Sequence, residues 1–332
     1  RITPTSVVIA WTTDRTGTGA VHYSTGQGYE NVAAATMDIY ADKYWFSTTI
    51  TGLTPHTTYF YKIFNDGADI TPWATITFTT APTSTDEFSF SVVGDSSPSG
   101  SPDLPPNPEA VAVAALIAQQ DLDLAFHTGD IVEDGGICTG ADSTWNQWIR
   151  LFFNLYQERM GNIPIYTSIG NQDVKEKTDI CGFQGYTSVM FLPENAPAGD
   201  KEEYYSFDWG SAHFISLNTE DRYKPGYAQY SWLVNDLQTT TQPLIFVFVH
   251  QTAYSTGPHG ITPNIHDYLV PLFETYGVDA VFNGHDHGYQ RSCPIKNDTC
   301  TTTQEGGVVY YVDGGGGDDL YPVGNDWFTA FA

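Results

Sequence analysis

Beyond residue 87 the chain carries five short apolar runs: FSFSVV (88–93), LDLAFHT (122–128), NIPIYTSI (162–169), LIFVFV (244–249) and VDAVF (278–282). Each leads into a polar group capable of chemistry. These are Gly94-Asp95, Gly129-Asp130, Gly170-Asn171-Gln172-Asp173, His250 and, past Asn283, Gly284, His285 and His287. Apolar runs of this length, alternating with helix-period stretches, fit strands buried on both faces of a layered α/β domain. In such sheets functional groups collect beyond the carboxyl ends of the strands. Five successive deliveries of a carboxylate, carboxamide or imidazole therefore point to one convergent site. Oxygen donors beside imidazoles suit Zn, Fe or Mn. Taken singly, each of these residues would also fit a loop-capping Asp or a satisfied core histidine.

The helices of this layered domain are read from periodicity. NPEAVAVAALIAQQ (107–120) places Ala110, Val113, Ala114 and Ile117 on one face. STWNQWIRLFFNLYQERM (143–160) reads as a second helix opened by Ser143. The first 80 residues read as all-β: TSVVIAWTT (5–13), GAVHYST (19–25) and WFSTTITGLTPHTTYFYKIF (45–64) are rich in β-formers. Leu53, Pro55 and Tyr59 are spaced like the tyrosine corner of a fibronectin type III sandwich, with Trp11 as its core tryptophan. The polar stretch TTAPTSTDE (79–87) reads as a linker. The expected organisation is an all-β, fibronectin type III-like sandwich over 1–82, then an α/β layered domain over 83–332.

Lys and Arg number 13 against 39 Asp and Glu, a formal charge of −26. That balance argues against nucleic acid or an anionic membrane as partner. No run approaches the roughly 18 apolar residues of a membrane span. The chain opens on Arg1 rather than methionine, so a longer precursor with an export signal is expected. Cys293 and Cys300 bracket a short segment suited to a disulfide-closed loop, leaving Cys138 and Cys181 as a second pair. Asn297-Asp298-Thr299 inside that loop is a glycosylation sequon. These features point to a secreted, extracellular glycoprotein.

The order GD…GD…GN…H…GHxH resembles that of the calcineurin-like metallophosphoesterases. Together with YYSFDWGSAHFISLNTE (204–220), QYSWLVNDL (229–237) and GHDHGYQRSCPI (284–295), it resembles their purple acid phosphatase branch, in which a fibronectin-like domain precedes the catalytic one. The resemblance implies a dinuclear centre of two divalent or trivalent ions and hydrolysis of a phosphate ester by a hydroxide held on the metals. It implies that Asp130 bridges the ions. Asp95 and His287 would hold one, and Asn171, His250 and His285 the other. His259, in TGPHG, lies where the branch supplies an outer-sphere histidine, and an exposed loop histidine is the alternative. His213 is expected to bond within its strand.

Three positions depart from the pattern. Ser97 stands where His or Gly is usual. Glu133 replaces the tyrosine whose phenolate on ferric iron gives the branch its colour; it would either ligate the first metal or be a solvated loop carboxylate. Gln172 replaces the histidine of GNH, and a carboxamide can hydrogen-bond a phosphoryl oxygen but cannot transfer a proton. The readings carried forward are a secreted phosphomonoesterase, with Gln172 and His259 as its catalytic side chains, and a catalytically weak relative serving as an extracellular binding or structural protein. The sandwich lacks its expected first strand, so an open sheet edge would permit filament-forming self-assembly.

Overall fold

The computed structural model of the chain describes residues 1–40, 43–83, 86–98, 104–133, 147–174 and 183–332. All five apolar runs form strands, and they lie in two facing sheets. Phe90–Val93, Leu124–His127 and Ile165–Thr167 make a parallel three-stranded sheet with Leu124–His127 in the middle. Leu244–Val249 and Ala280–Asn283 lie inside a seven-stranded sheet. Its order is Tyr205–Trp209, Ala212–Ser216, Leu244–Val249, Ala280–Asn283, Val309–Asp313, Tyr289–Ser292 and Thr329–Phe331. From Ala212–Ser216 to Val309–Asp313 neighbouring strands run parallel, so their carboxyl ends emerge together.

Phenylalanines close the space between the sheets. Phe126 stacks on Phe248 with ring centroids 3.9 Å apart, and Phe214 stacks on Phe126 at 5.1 Å. Phe90 meets Phe214, Phe246 and Phe282 at 5.5–5.9 Å. Stacked and edge-on rings of this kind add about 0.5–1.5 kcal/mol per pair beyond area burial. Helix Pro108–Ala118 buries Ala110, Ala114 and Ile117, the face its periodicity predicts. The second predicted helix is present from Trp148. It winds as a π-helix to Phe153 and continues as an α-helix, Asn154–Met160. Ser143, with Cys138 and Cys181, lies outside the described residues. Cys293 and Cys300 are joined by a disulfide.

The first part of the chain folds into two antiparallel sheets. Ser6–Thr13, Lys43–Thr51 and Thr36–Tyr40 form one. Asn31–Ala34, Gly19–Ser24, Thr58–Asn65, Ala68–Asp69 and Ile76–Thr79 form the other. The Tyr59 hydroxyl accepts the Thr54 amide at 3.0 Å, a bond back to the preceding corner. Trp11 is not the core tryptophan. On its strand the buried phase is Val7 and Ile9; Trp11 sits half-buried near the strand's end, stacked on Phe46, while Trp45 is the one enclosed. Residues 79–82 are not a free linker either. Thr80 and Ala81 are fully buried, and the Pro82 carbonyl accepts the Gly210 amide. Further bonds cross between the two parts, from the Tyr61 hydroxyl to the Gly161 carbonyl at 2.7 Å and from the Ile2 amide to the Tyr166 hydroxyl at 3.2 Å. One apolar core runs through both.

His213 lies away from the cleft, but it bonds to a neighbouring strand and a helix rather than within its own strand. Its Nδ1 donates to Asp208 on the neighbouring strand at 2.6 Å, and its Nε2 donates to Asp236 of helix Ala228–Thr239 at 2.8 Å. Burial pushes the imidazolium down, but the two carboxylates outweigh it and raise the pKa from 6.5 to about 9. A raised histidine stabilises the fold fully below its unfolded pKa, and the benefit is lost as pH rises through about 9. Asp208 is half exposed, so solvent screening reduces the effect to on the order of 2 kcal/mol. The stability gap between the parent and H213Q, read from urea midpoints, should be widest near pH 6 and shrink toward pH 10. A gap independent of pH would show that the carboxylates do not hold the charge.

Candidate metal centre

The strand ends are laced before any side chain acts. The Gly94 amide donates to the Asp313 carbonyl, Asp95 to Gly129, Ser168 to His127 and Gly284 to His250, all at 2.8–3.0 Å. The polar residues after the strands are thereby gathered at one edge. Asp95, Ser97, Asp130, Glu133, Asn171, Gln172, His259, His285 and His287 line one cleft of about 120 Å³, with Asp318 and Tyr321. His250 closes its floor, fully buried.

The cleft has two adjoining halves. In one, His250 Nε2 lies 3.2 Å from Asp130 Oδ2 and 3.0 Å from Asn171 Oδ1. Donor atoms of Asp130, His250 and His285 all lie within 4.8 Å of one another. In the other half, His287 Nε2 faces Asp95 Oδ1 at 3.6 Å. Both imidazoles are aimed by their second nitrogen. His250 Nδ1 donates to the Thr128 carbonyl at 2.9 Å, and His287 Nδ1 to the Asp319 carbonyl at 3.0 Å. Such backbone anchors fix the tautomer and turn Nε2 toward a cation, the usual support of ligating histidines. The donor set therefore fits two metal ions.

Backbone strain accompanies this aim. Asp95, Asp130 and His285 adopt positive φ of 59°, 54° and 71°. Side chains in that region cost on the order of 1–3 kcal/mol each and persist where the surroundings fix them. Close approach accounts for one of the glycines. A Cβ on Gly170 would lie 2.2 Å from the Asp130 amide nitrogen, so any side chain there would push the two loops apart. His127, inside a strand, does not reach the cleft. It is held between Ser96 Oγ and the Gly129 amide, and burial lowers its pKa to about 3. His259 is exposed, but its ring stacks on His285 at 4.0 Å, which places it at the mouth.

Four residues of the site gain a role only from the structure. Asp173 and Asp286 are fully buried supports. Asp173 accepts the amides of Gly170, Asp130, Ile131 and Val132, and Asp286 accepts those of His259 and Gly260. Tyr321 stacks on His287 at 4.1 Å, and Asp318 Oδ2 lies 3.6 Å from His287 Nδ1. The last two follow strand Val309–Asp313 through DGGGGDD, a strand–glycine–carboxylate order like that of Gly94-Asp95 and Gly129-Asp130.

The electrostatics call for cations. Burial drives the Asp95 carboxyl well above its usual range. Burial also works against charge on Asp130 and His250, but their mutual attraction wins, holding Asp130 low and lifting His250 to about 10. Burial and the neighbouring His250 press His285 down to about 3. An ion ligated by His250 must displace that proton. Zn²⁺ binding near pH 7 should thus release at least one proton, and affinity should climb with pH by up to about tenfold per unit below 10. Calorimetry in buffers of different ionisation enthalpy reads this directly, and uptake with no proton release would contradict it.

Residues 103–289 match the family described as calcineurin-like phosphoesterase, and residues 1–80 match the purple acid phosphatase N-terminal domain. Purple acid phosphatase 15 of Arabidopsis thaliana is 30% identical over 46% of this chain and 29% of its own length. A relative named probable inactive purple acid phosphatase 24, from the same plant, is also 30% identical, over 54% of this chain and 31% of its own. An uncharacterised protein of Mycobacterium tuberculosis is 28% identical over 88% of this chain and 60% of its own. The match thus spans about a third of the length of these two plant relatives. The purple acid phosphatase from yellow lupin (Lupinus luteus) seeds shares the fold, with a TM-score of 0.79 at 20% identity, covering 99% of this chain and 66% of that one. With more than half its length matched and the strand-end donors gathered in one cleft, the chain belongs to the calcineurin-like phosphoesterase family and carries the N-terminal domain of the purple acid phosphatases.

Proposed function

We propose that this protein is a secreted metal-dependent phosphomonoesterase, with a sandwich domain over 1–82 and its catalytic domain over 83–332. One observation carries the reading. Two buried imidazoles, each anchored through Nδ1 to a backbone carbonyl, turn Nε2 onto separate carboxylates of a single cleft. Asp130 would bridge the two ions, Asp95 and His287 would hold one, and Asn171, His250 and His285 the other. Two such ions would polarise the phosphoryl group and lower the pKa of bound water toward neutrality. The disulfide Cys293–Cys300 and the sequon at Asn297 support an oxidising, extracytoplasmic setting.

The chain's own residues do the rest. The Gln172 amide donates to Asp130 Oδ1 at 2.7 Å and fixes the bridging carboxylate, while its side-chain carboxamide lines the cleft, where it would donate to a phosphoryl oxygen. His259 at the mouth would hold the proton that the leaving oxygen needs. Purified chain should contain two ions and hydrolyse p-nitrophenyl phosphate, and H250A should lose at least one ion and about 10²-fold or more in turnover. Metal-free chain that does not take up Zn²⁺ or Mn²⁺ would sink the reading. Gln172 favours one second reading, a catalytically weak relative retained for binding. Two ions bound without hydrolysis would select it.

Gln172→His tests the missing acid. A restored general acid contributes on the order of 10²–10⁴ where the leaving group is basic and little where it is not. The variant should gain at least tenfold more on an alkyl phosphate than on p-nitrophenyl phosphate. Equal gains on both would show that position 172 is not an acid's place.

A further inference from the structure

Two of the three departures from the family pattern touch each other. Buried Ser97 donates its hydroxyl to Glu133 Oε1 at 2.9 Å, and both line the cleft with Asp95, Asp130 and His287. The Glu133 backbone is fixed as well. Its amide donates at 2.9 Å to Oε1 of Gln147, which is fully buried, and the amides of the three residues before it are held by Asp173. A solvated loop carboxylate would have neither anchor. The two halves of the cleft are also unequal. The His250 half offers Asn171, His250 and His285 beside Asp130, whereas among the described residues the His287 half turns Asp95 and His287 Nε2 to each other, with Asp318 on the Nδ1 side of His287.

We propose that Glu133, oriented by Ser97, is the further ligand of the ion held by Asp95 and His287. The proposal rests on the two-ion reading above. A carboxylate here adds a hard, anionic oxygen where the branch has a phenolate, which favours a divalent ion such as Mn²⁺ or Zn²⁺ and leaves no phenolate-to-iron charge transfer. Ser97 is a positioning residue, acting through Glu133.

Metal-free wild type, E133Q and S97A are titrated with Mn²⁺ by calorimetry, with bound metal counted by elemental analysis and folding checked by circular dichroism. Wild type should take two ions. E133Q should keep one at wild-type affinity, which serves as its internal control of folding, and bind the other at least tenfold more weakly. S97A should weaken the same ion to a lesser degree, about tenfold or less, as expected for outer support of a ligand. Two ions at unchanged affinity in E133Q, or equal weakening of both, would overturn the proposal. A wild type that takes up no ion would sink the two-ion reading itself, and this proposal with it. A second variant reads geometry independently of affinity: loaded with Fe³⁺, E133Y should develop a visible absorption band that wild type and E133Q lack. A colourless, iron-loaded E133Y would show that position 133 does not face the ion.

Discussion

Four backbone amides converge on the carboxylate of Asp173, and the cleft depends on that convergence. The donors are Gly170, Asp130, Ile131 and Val132, so one buried group ties the loop after the third strand to the loop after the second. Burial and the nearby Asp130 raise its carboxyl to about 7, which shows how poorly the interior tolerates this charge. Hydrogen bonds to a charged acceptor contribute about 1.5–3 kcal/mol each, and these four offset the desolvation only in part. With this tie in place Asp130 keeps a left-handed backbone and its Oδ2 faces His250 Nε2 at 3.2 Å. Asp286 plays the matching part opposite, joining the GHDH loop to Ser255, His259 and Gly260.

The charge balance explains why such a site needs metal. The chain carries −26, and among the described residues lining the cleft there are four carboxylates and neither Lys nor Arg. A phosphate ester would be repelled from this edge of the sheets. Two divalent ions would reverse the local field, since bound cations are the largest charges in such a site. On the proposed reading, metal loading and phosphate binding would be one electrostatic problem.

The departures from the family pattern divide along the same line. Ser97 and Glu133 are bonded to one another on the side of Asp95 and His287. Gln172 instead keeps the backbone contact to Asp130 while its side chain gives up proton transfer. On the proposed reading, support of the metals and protonation of the leaving group would be separable.

The sequence by itself determined the strands, their polar ends and the donor types. Apolar runs ending in Gly-Asp, Gly-Asn or His are local patterns, and parallel pairing carries them to the carboxyl edge of each of the two sheets. Asp95, Asp130, Asn171, His250, His285 and His287 were legible for that reason. Tertiary structure alone decided which buried carboxylates are supports. Nothing local separates Asp173 or Asp286 from a solvated loop acid, because their partners are amides on other loops. It also decided that Trp45 rather than Trp11 is enclosed, that residues 79–82 are packed, and that His259 rests on His285. Each of these depends on which surface another part of the chain covers, and side-chain periodicity along one segment does not record that.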